Sequence, residues 1–403
     1  MAGKRGHGEG SIYKRKDGKW EAKASIGYDP ATGKIKRATR YFKTRQEAQA
    51  WLAEVQHEKN TGSFVEPDRV TVGDWLDRWL RVYAREKVAV TSYDFYETLV
   101  RCHIKPGIGA IELQKLRPIN IQQMYAEKRQ QGRLDGSGGL SAETIRRIHN
   151  ILHSALKQAV REGLIQRNPA DAVEPPKLVK QEIRPLEKEA VTRFLEAIRD
   201  DRLYALFVMA VGTGVRRGEL LALRWEDVNL VKGTATVKRT VARVRQEGGP
   251  TKTKLIFKEP KRGKFRTVPL AGFVLQALRE HKKRQAQEKL FFGQAYQDNG
   301  LVFATEDGRP IDPRNFTRRY TGLLQRAGIE HTRFHNWRHT FATILLEQGE
   351  HPKVVQEMLG HARINITLDT YSHIMPGMME AAAEKLDAVF GQKEKPPVKK
   401  GKR

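Results

Sequence analysis

From Ser141 to Gly163 the residues Ile145, Ile148, Leu152, Ala155, Leu156 and Ala159 recur at helical spacing and draw one apolar stripe. A stripe of that length is not stable in water alone, so it needs other helices to cover it. Arg146, Arg147 and Lys157 point away from it. Val72-Gly73-Asp74-Trp75-Leu76 begins another helix, with Leu76, Trp79, Leu80 and Tyr83 at helical spacing. Gly136-Ser137-Gly138-Gly139 reads as a flexible loop between helices. Asn168-Pro169 ends the unit, and Glu174-Pro175-Pro176-Lys177 reads as a linker. Residues 69–175 are therefore expected to form a helical domain.

The preceding stretch has a different period. Ser11–Lys14, Trp20–Ile26 and Lys34–Phe42 read as three strands, with Asp17-Gly18 and Asp29–Gly33 as turns. A helix follows, with Thr44 as N-cap, Glu47 completing a capping box, and Ala48, Trp51, Leu52 and Val55 on one face. Residues 1–65 are expected to be a three-stranded sheet backed by one helix. Thirteen Lys and Arg fall between Met1 and Arg45, against four acidic residues. A major groove admits a β-ribbon or sheet, so Lys14, Arg15, Lys16, Lys36, Arg37 and Arg40 are candidate DNA contacts, joined by Arg146 and Arg147 on the long helix.

Charge narrows the class of partner. Across 403 residues, 74 Lys and Arg face 47 Asp and Glu, a net charge of +27. That surplus repels itself, and bound phosphates would relieve it. Nucleic acid is the leading partner; a membrane is not expected, because no basic amphipathic helix stands out. The most apolar stretch, Leu203–Val215, contains two glycines and is too short to cross a bilayer. Charge at the N-terminus without an apolar segment behind it argues against a secretory signal. The single cysteine, Cys102, forms neither an internal disulfide nor a Cys-based zinc site, and a reducing cytoplasmic setting fits.

Residues 180–390 are mixed. Helical patterns occupy Glu187–Arg199, Leu203–Gly212 and Gly218–Leu223; two or more strands follow between Thr234 and Pro269, then further helices to Phe390. Gly391–Arg403, with six basic residues and two prolines, is expected to be a disordered basic tail. There is no His-Glu-x-x-His and no carboxylate cluster spaced for magnesium, so no metal is expected. Gly212-Thr213-Gly214-Val215-Arg216-Arg217-Gly218-Glu219 lacks the Lys-Ser/Thr ending of a P-loop and the spacing of a dinucleotide fingerprint. No cofactor is expected.

What remains is a basic constellation. Arg216 follows a glycine turn and opens an amphipathic helix ending in Trp225. Lys261 sits at the tip of an expected hairpin, Glu259-Pro260-Lys261-Arg262-Gly263, with Lys258 and Lys264 as rivals. His335 and Arg338 share a helical face, His361 follows the C-cap signal Leu359-Gly360, and Tyr371 lies ten residues further on. Phosphodiester cleavage without a metal needs cations for the nonbridging oxygens, a proton for the leaving oxygen and a nucleophile. Each residue has a duller reading alone: a phosphate-positioning arginine, a half-buried tyrosine, a capping histidine, tryptophans of the core. The set and its order carry the argument.

That ordered set resembles the tyrosine recombinases, and phage or conjugative-element integrases among them. Thr213-Gly214-Val215-Arg216-Arg217-Gly218-Glu219-Leu220 resembles the first arginine box, and His335-Asn336-Trp337-Arg338-His339-Thr340-Phe341-Ala342 the His-x-x-Arg box. Leu359-Gly360-His361 and Thr367-Leu368-Asp369-Thr370-Tyr371-Ser372-His373 resemble the final histidine and tyrosine boxes. Asn336-Trp337 departs from the commoner acidic-aliphatic pair, which bears on packing.

The resemblance implies a multidomain fold, mainly α with α+β parts: an arm-site DNA-binding domain (1–65), a helical core-site domain (69–175) and a mixed catalytic domain (180–390). It implies a site-specific recombinase acting through a 3′-phosphotyrosine without metal or ATP. Tyr371 would be the nucleophile, Arg216 and Arg338 the phosphate clamp, Lys261 the acid to the leaving oxygen. His335 and His361 would assist at the phosphate, and Glu219 would orient Arg216 or a histidine. A homotetramer on paired core and arm sites, an accessory bending or directionality factor, and a nucleoid-associated place in a bacterial cytoplasm follow by the same resemblance. The stripe Met379, Ala382, Leu386 and Phe390 would dock on a neighbouring subunit or on its own domain. The competing readings are a catalytically silent DNA-binding regulator, a chromosome-dimer-resolving recombinase and a type IB topoisomerase.

Overall fold

A computed structural model describes residues 10–28, 32–61, 69–179, 185–246, 252–260, 263 and 265–371, with residues 383, 386, 387, 389 and 390 beyond them. The chain divides into two compact units, Met1–Lys180 and Gln181–Arg403. The fold is mainly α with α+β parts, as expected.

The first unit begins with β1 (Ser11–Lys14), β2 (Trp20–Tyr28) and β3 (Ile35–Phe42), an antiparallel sheet in the order β1-β2-β3. Helix α1 (Arg45–Asn60) follows. Thr44 caps it: its hydroxyl accepts from the Glu47 N–H, and the Glu47 carboxylate accepts from the Thr44 N–H. Ala48, Leu52 and Val55 bury against Ala22 and Ala24, with Trp20, Phe42 and Trp51 at the margin. Small alanines on the sheet let the helix lie close.

The helical part of this unit has its own core. It runs through α2 (Val72–Trp79), α3 (Arg85–Lys87), α4 (Val90–Leu99), α5 (Lys105–Ile108), α6 (Pro118–Gln130) and α7 (Ala142–Arg161). Two π-helical turns, Leu80–Ala84 and Val100–Ile104, interrupt the regular helix. The stripe on α7 is buried as expected, with Ile151 added to it. Trp75 is fully buried and its indole N–H donates to the Ala155 carbonyl at 2.9 Å, which ties α2 to α7. Asn168-Pro169 does not end the packing. Asn168 caps a short 3₁₀ turn, Pro169–Ala172, and Ala170 and Val173 continue the core.

The second unit contains α8 (Lys188–Ala197), α9 (Tyr204–Thr213) and α10 (Arg217–Leu220). Then come β4 (Val228–Asn229), β5 (Thr234–Val237), β6 (Thr240–Arg245), β7 (Thr253–Lys258) and β8 (Arg266–Pro269). Helices α11 (Gly272–Phe292), α12 (Pro313–Arg326), α13 (Asn336–Glu347), α14 (Pro352–Leu359) and α15 (Ile364–Tyr371) complete it. Its core centres on Phe194, Phe207, Phe316, Tyr320 and Trp337, whose rings meet edge-on, tilted or stacked. The Trp337 indole donates to the Tyr320 hydroxyl at 2.9 Å, so the unusual tryptophan of the His-x-x-Arg box anchors α13 in the core.

Two local expectations need correction. The helix opened by Arg216 does not reach Trp225: α10 stops at Leu220, because Arg224 bridges to Leu301 and Trp225 begins a separate 3₁₀ turn. Nor is Glu259–Gly263 a hairpin tip. β7 pairs with β6, whereas β8 pairs with β5 beside β4, so this segment crosses from a two-stranded ribbon to a three-stranded sheet. Lys258 closes β7; Lys261 and Lys264 lie outside the described residues. Of the C-terminal stripe, Leu386 and Phe390 are exposed, while Met379, Ala382 and the basic tail 391–403 also lie outside them.

Candidate active site

Six of the expected site residues, Arg216, Glu219, His335, Arg338, His361 and Tyr371, converge in the second unit. The convergence starts at Gly214, whose left-handed φ of 61° ends α9. A Cβ there would fall 2.5 Å from Phe341 Cδ1 and 2.8 Å from Leu359 Cδ2, so only glycine lets α13 and α14 close on the turn. Two residues later Arg216 stands at the N-cap of α10. Its backbone N–H donates to Glu219 Oε2 at 3.1 Å, and its guanidinium to Glu219 Oε1 at 3.1 Å and to the Gly360 carbonyl at 3.4 Å. The rest of that guanidinium faces solvent.

Arg338 sits in the first turn of α13 and is 3% exposed. Its fork donates to the Gly214 carbonyl at 2.8 Å and to the Leu359 carbonyl at 2.6 Å, the ends of two helices. Burial, then Arg216 and Arg266, pull its pKa down to about 9, so it stays cationic at neutral pH. Cation beside helix C-terminus is a favourable pairing.

Glu219 is 4% exposed and serves two arginines. Burial opposes its ionisation, but hydrogen bonding and charge from Arg266, then the charge and backbone N–H of Arg216, hold its carboxyl below the usual range. Arg266 was not among the expected site residues. It opens β8, donates to both Glu219 oxygens and sends its Nε–H to the Met358 carbonyl at 3.2 Å. A buried carboxylate next to one arginine still had acceptor capacity for a second; that was the signal available.

Three histidines complete the site. His335 stands at the N-cap position of α13 with its side chain free of any capping bond, and burial, then Arg338 and Arg216, lower its pKa. His361 follows Gly360, whose left-handed φ of 67° ends α14. Its Nδ1 lies 2.9 Å from the hydroxyl of fully buried Thr367, and its carbonyl accepts from Gln356 Nε2. Burial, Arg338 and Arg216 push its pKa to about 3. Tyr371, at the end of α15, is 1% exposed, and burial raises its pKa to about 12 against the lowering field of Arg338. Its hydroxyl lies 2.7 Å from Nδ1 of His339, the second residue that sequence reasoning missed. His339 is four residues from His335, the spacing that puts two side chains on one helical face.

Around this centre the cations outnumber the anions. Arg216 and Arg266 share the one carboxylate of Glu219, Arg338 is held by backbone carbonyls alone, and the histidines are held neutral beside them. The arrangement suits an anion with two or more oxygens. Among the described residues there is no group of three His, Cys, Asp or Glu placed to hold a metal, and no helix long and apolar enough to cross a membrane.

The sheet of the first unit separates the candidate DNA contacts. The registers Tyr13–Glu21–Tyr41, Ser11–Lys23–Thr39 and Ser25–Arg37 lie on the face away from α1. Arg40 is opposite buried Ala22, on the helix side, with its guanidinium 5.8 Å from the Phe42 ring. Lys14 pairs with Trp20 on that same side. Arg15 reaches from the turn over the Tyr41 ring at 4.7 Å, and Lys16 is exposed beside it. Lys36 stands opposite Gly27 after a bulge. On α7, Arg146 and Arg147 are exposed, and Arg147 pairs with Glu143 and lies over Phe95.

Residues 184–377 match the phage integrase family, residues 11–59 an arm DNA-binding domain and residues 71–128 the SAM-like N-terminal domain of phage integrases. A tyrosine recombinase XerC-like protein of Caldanaerobacter subterraneus is 35% identical over 390 residues, covering 93% of this chain and 98% of its own length. The Tn1549 transposon integrase, solved with circular-intermediate DNA, superposes with a TM-score of 0.63 at 22% identity over 79% of this chain and 99% of its own. A lambda integrase tetramer bound to a Holliday junction gives 0.54 at 20% identity, over 87% and 95%.

Proposed function

The chain belongs to the phage integrase family of tyrosine recombinases; it is a site-specific integrase, and we propose that Tyr371 is its nucleophile on the scissile phosphate of double-stranded attachment-site DNA. One observation carries this assignment: the Tyr371 hydroxyl is buried within the field of Arg338, in a site whose arginines exceed their carboxylates.

Arg216 and Arg338 clamp the nonbridging oxygens, where a planar fork suits two acceptors better than an ammonium. Glu219 and Arg266 hold Arg216 at the required angle. His361, with Nδ1 engaged by Thr367, turns Nε2 to the phosphate, and His335 assists beside it. Lys261 supplies the proton to the leaving 5′ oxygen. Tyr371 keeps the 3′ phosphate as a phosphotyrosine until a partner strand's 5′ hydroxyl reverses the step. The bond energy is conserved, so the exchange needs no ATP.

Residues 1–65 serve arm sites, 69–175 core sites and 180–390 the chemistry. Lys14, Arg15, Lys16, Lys36, Arg37, Arg40, Arg146 and Arg147 are contacts to DNA phosphates or bases. Two strand exchanges on paired sites call for a homotetramer, assisted by a bending or directionality factor, in the cytoplasm of a bacterial host. The likeness to a XerC-like protein favours chromosome-dimer resolution as the second reading. The match of residues 11–59 to an arm-binding domain weighs toward a mobile element.

The test incubates the protein, in chelator and without ATP, with nicked suicide substrates from the ends of its resident element. A covalent protein–DNA band is expected from the wild type and not from Tyr371→Phe, with both binding the DNA. A band that persists in Tyr371→Phe overturns the nucleophile. No band, with normal binding, favours a silent regulator.

A further inference from the structure

We propose that His339 is a catalytic residue of the strand-cleavage reaction, the base that takes the proton from Tyr371 as its oxygen attacks phosphorus. The inference rests on the assignment of Tyr371 as nucleophile and adds the fate of its proton.

The geometry is direct. His339 Nδ1 is 2.7 Å from the tyrosine oxygen, within the range for proton transfer. The two rings are 5.8 Å apart and inclined at 55°. The phenol is 1% exposed, so bulk water is a poor acceptor for its proton. Burial holds the phenol protonated, which makes it a donor toward an unprotonated imidazole nitrogen. The imidazole is unprotonated because burial, then His335 and Arg338, hold its pKa to about 4. The groups facing His339 are His335, packed edge-on at 4.9 Å, and Arg338 on its own helix, Tyr371 from α15, and His361, which also feels its charge. A phosphate dianion in formation among these cations would raise the basicity of His339 at the moment it is needed.

The step balances. The phenol O–H bond breaks while the oxygen bonds to phosphorus, and the proton passes to Nδ1. The bond from phosphorus to the 5′ oxygen breaks, and that oxygen takes its proton from a separate donor. On rejoining, the imidazolium returns its proton to the departing tyrosine oxygen.

A chemical contrast separates this role from leaving-group catalysis. The substrates are nicked duplexes carrying either the native 5′ oxygen or a 5′ sulfur at the scissile phosphate; a thiolate departs without a proton. Single-turnover cleavage by His339→Ala and His339→Asn is expected to fall about a hundredfold or more on both substrates. Asn can hold the tyrosine through its carbonyl but cannot carry the proton. In His339→Asn the rate should climb about tenfold per pH unit, because only phenol already ionised attacks. The wild type should keep an acidic limb on the sulfur substrate. Cleavage by His339→Asn within about threefold of wild type, rescue of His339→Ala by sulfur, or a wild-type profile with no acidic limb on that substrate would each overturn the proposal. Where His339→Ala does not fold, the rates and pH profile of His339→Asn on the two substrates decide the matter. Absence of any covalent product from the wild type, or its presence in Tyr371→Phe, marks failure of the nucleophile assignment instead.

Discussion

Arg266 and Glu219 form a two-pronged ion pair, Nη1 to Oε1 at 3.1 Å and Nη2 to Oε2 at 2.5 Å, and the same carboxylate holds Arg216. One carboxylate thus links β8, the first arginine box and, through Arg266 Nε, the end of α14.

Breaking a buried pair from one side is costly, because the remaining charge is stranded. Arg266→Met should lower the stability of the catalytic unit by about 3 kcal/mol, read from urea unfolding of the full chain. Adding Glu219→Gln should recover much of that stability while cleavage stays low, since Arg216 is then unheld. Recovery of cleavage along with stability would mean the pair only supports the fold.

Arg338→Lys and Arg216→Lys should each reduce single-turnover cleavage by about two to three orders of magnitude with site binding retained. A lysine in place of Arg338 cannot satisfy the Gly214 and Leu359 carbonyls and a phosphate together. Near-normal cleavage by Arg338→Lys would show that charge alone suffices.

The histidines make stability depend on pH with a definite sign. In the folded chain His361 sits at about 3 and His339 at about 4, against 6.5 when unfolded. Between those values the unfolded chain binds more protons. Stability is therefore full above about pH 6.5 and declines as pH falls toward 4, by less than about 1.4 kcal/mol per unit for each group. His361→Gln should flatten the slope in denaturant unfolding followed across this range. An unchanged slope would mean that other groups set it.

On the arm sheet, Arg37→Ala and Tyr41→Ala should weaken binding to arm-site DNA more than Arg40→Ala, because Arg40 lies on the helix side. Each lost phosphate contact should reduce the salt dependence by about 0.9 in log–log slope, measured by anisotropy. Deleting residues 1–65 should remove arm-site affinity and spare the core site. Equal loss for all three substitutions would mean that the two faces do not differ in their use.

Periodicity and capping chemistry were sufficient for much of the fold. The stripe on α7, the capping box at Thr44 and the left-handed turn at Gly360 all depend on residues close in sequence. The strand pairing beyond Thr234 was not legible, because β8 chooses β5 over its chain neighbour β7, and no local rule encodes that choice. The same limit applies to the site. Gly214, Arg216, His335, Arg338, His361 and Tyr371 fall in ordered boxes; the partners Arg266 and His339 are defined by contacts across 47 and 32 residues of chain. His339 stood inside a box already read, but a histidine after an arginine gives no sign of what its nitrogen meets.

Arg338 is held by carbonyls from Gly214, 124 residues before it, and Leu359, 21 residues after it. Tyr371 finds His339 only after α14 and α15 have been made. During translation the basic sheet and the helical core emerge from the ribosome long before these contacts can close. A chain truncated before α14 therefore lacks both contacts, even with the basic sheet and the helical core complete. The parts of the proposed cutting site therefore come together last in the order of the polypeptide itself.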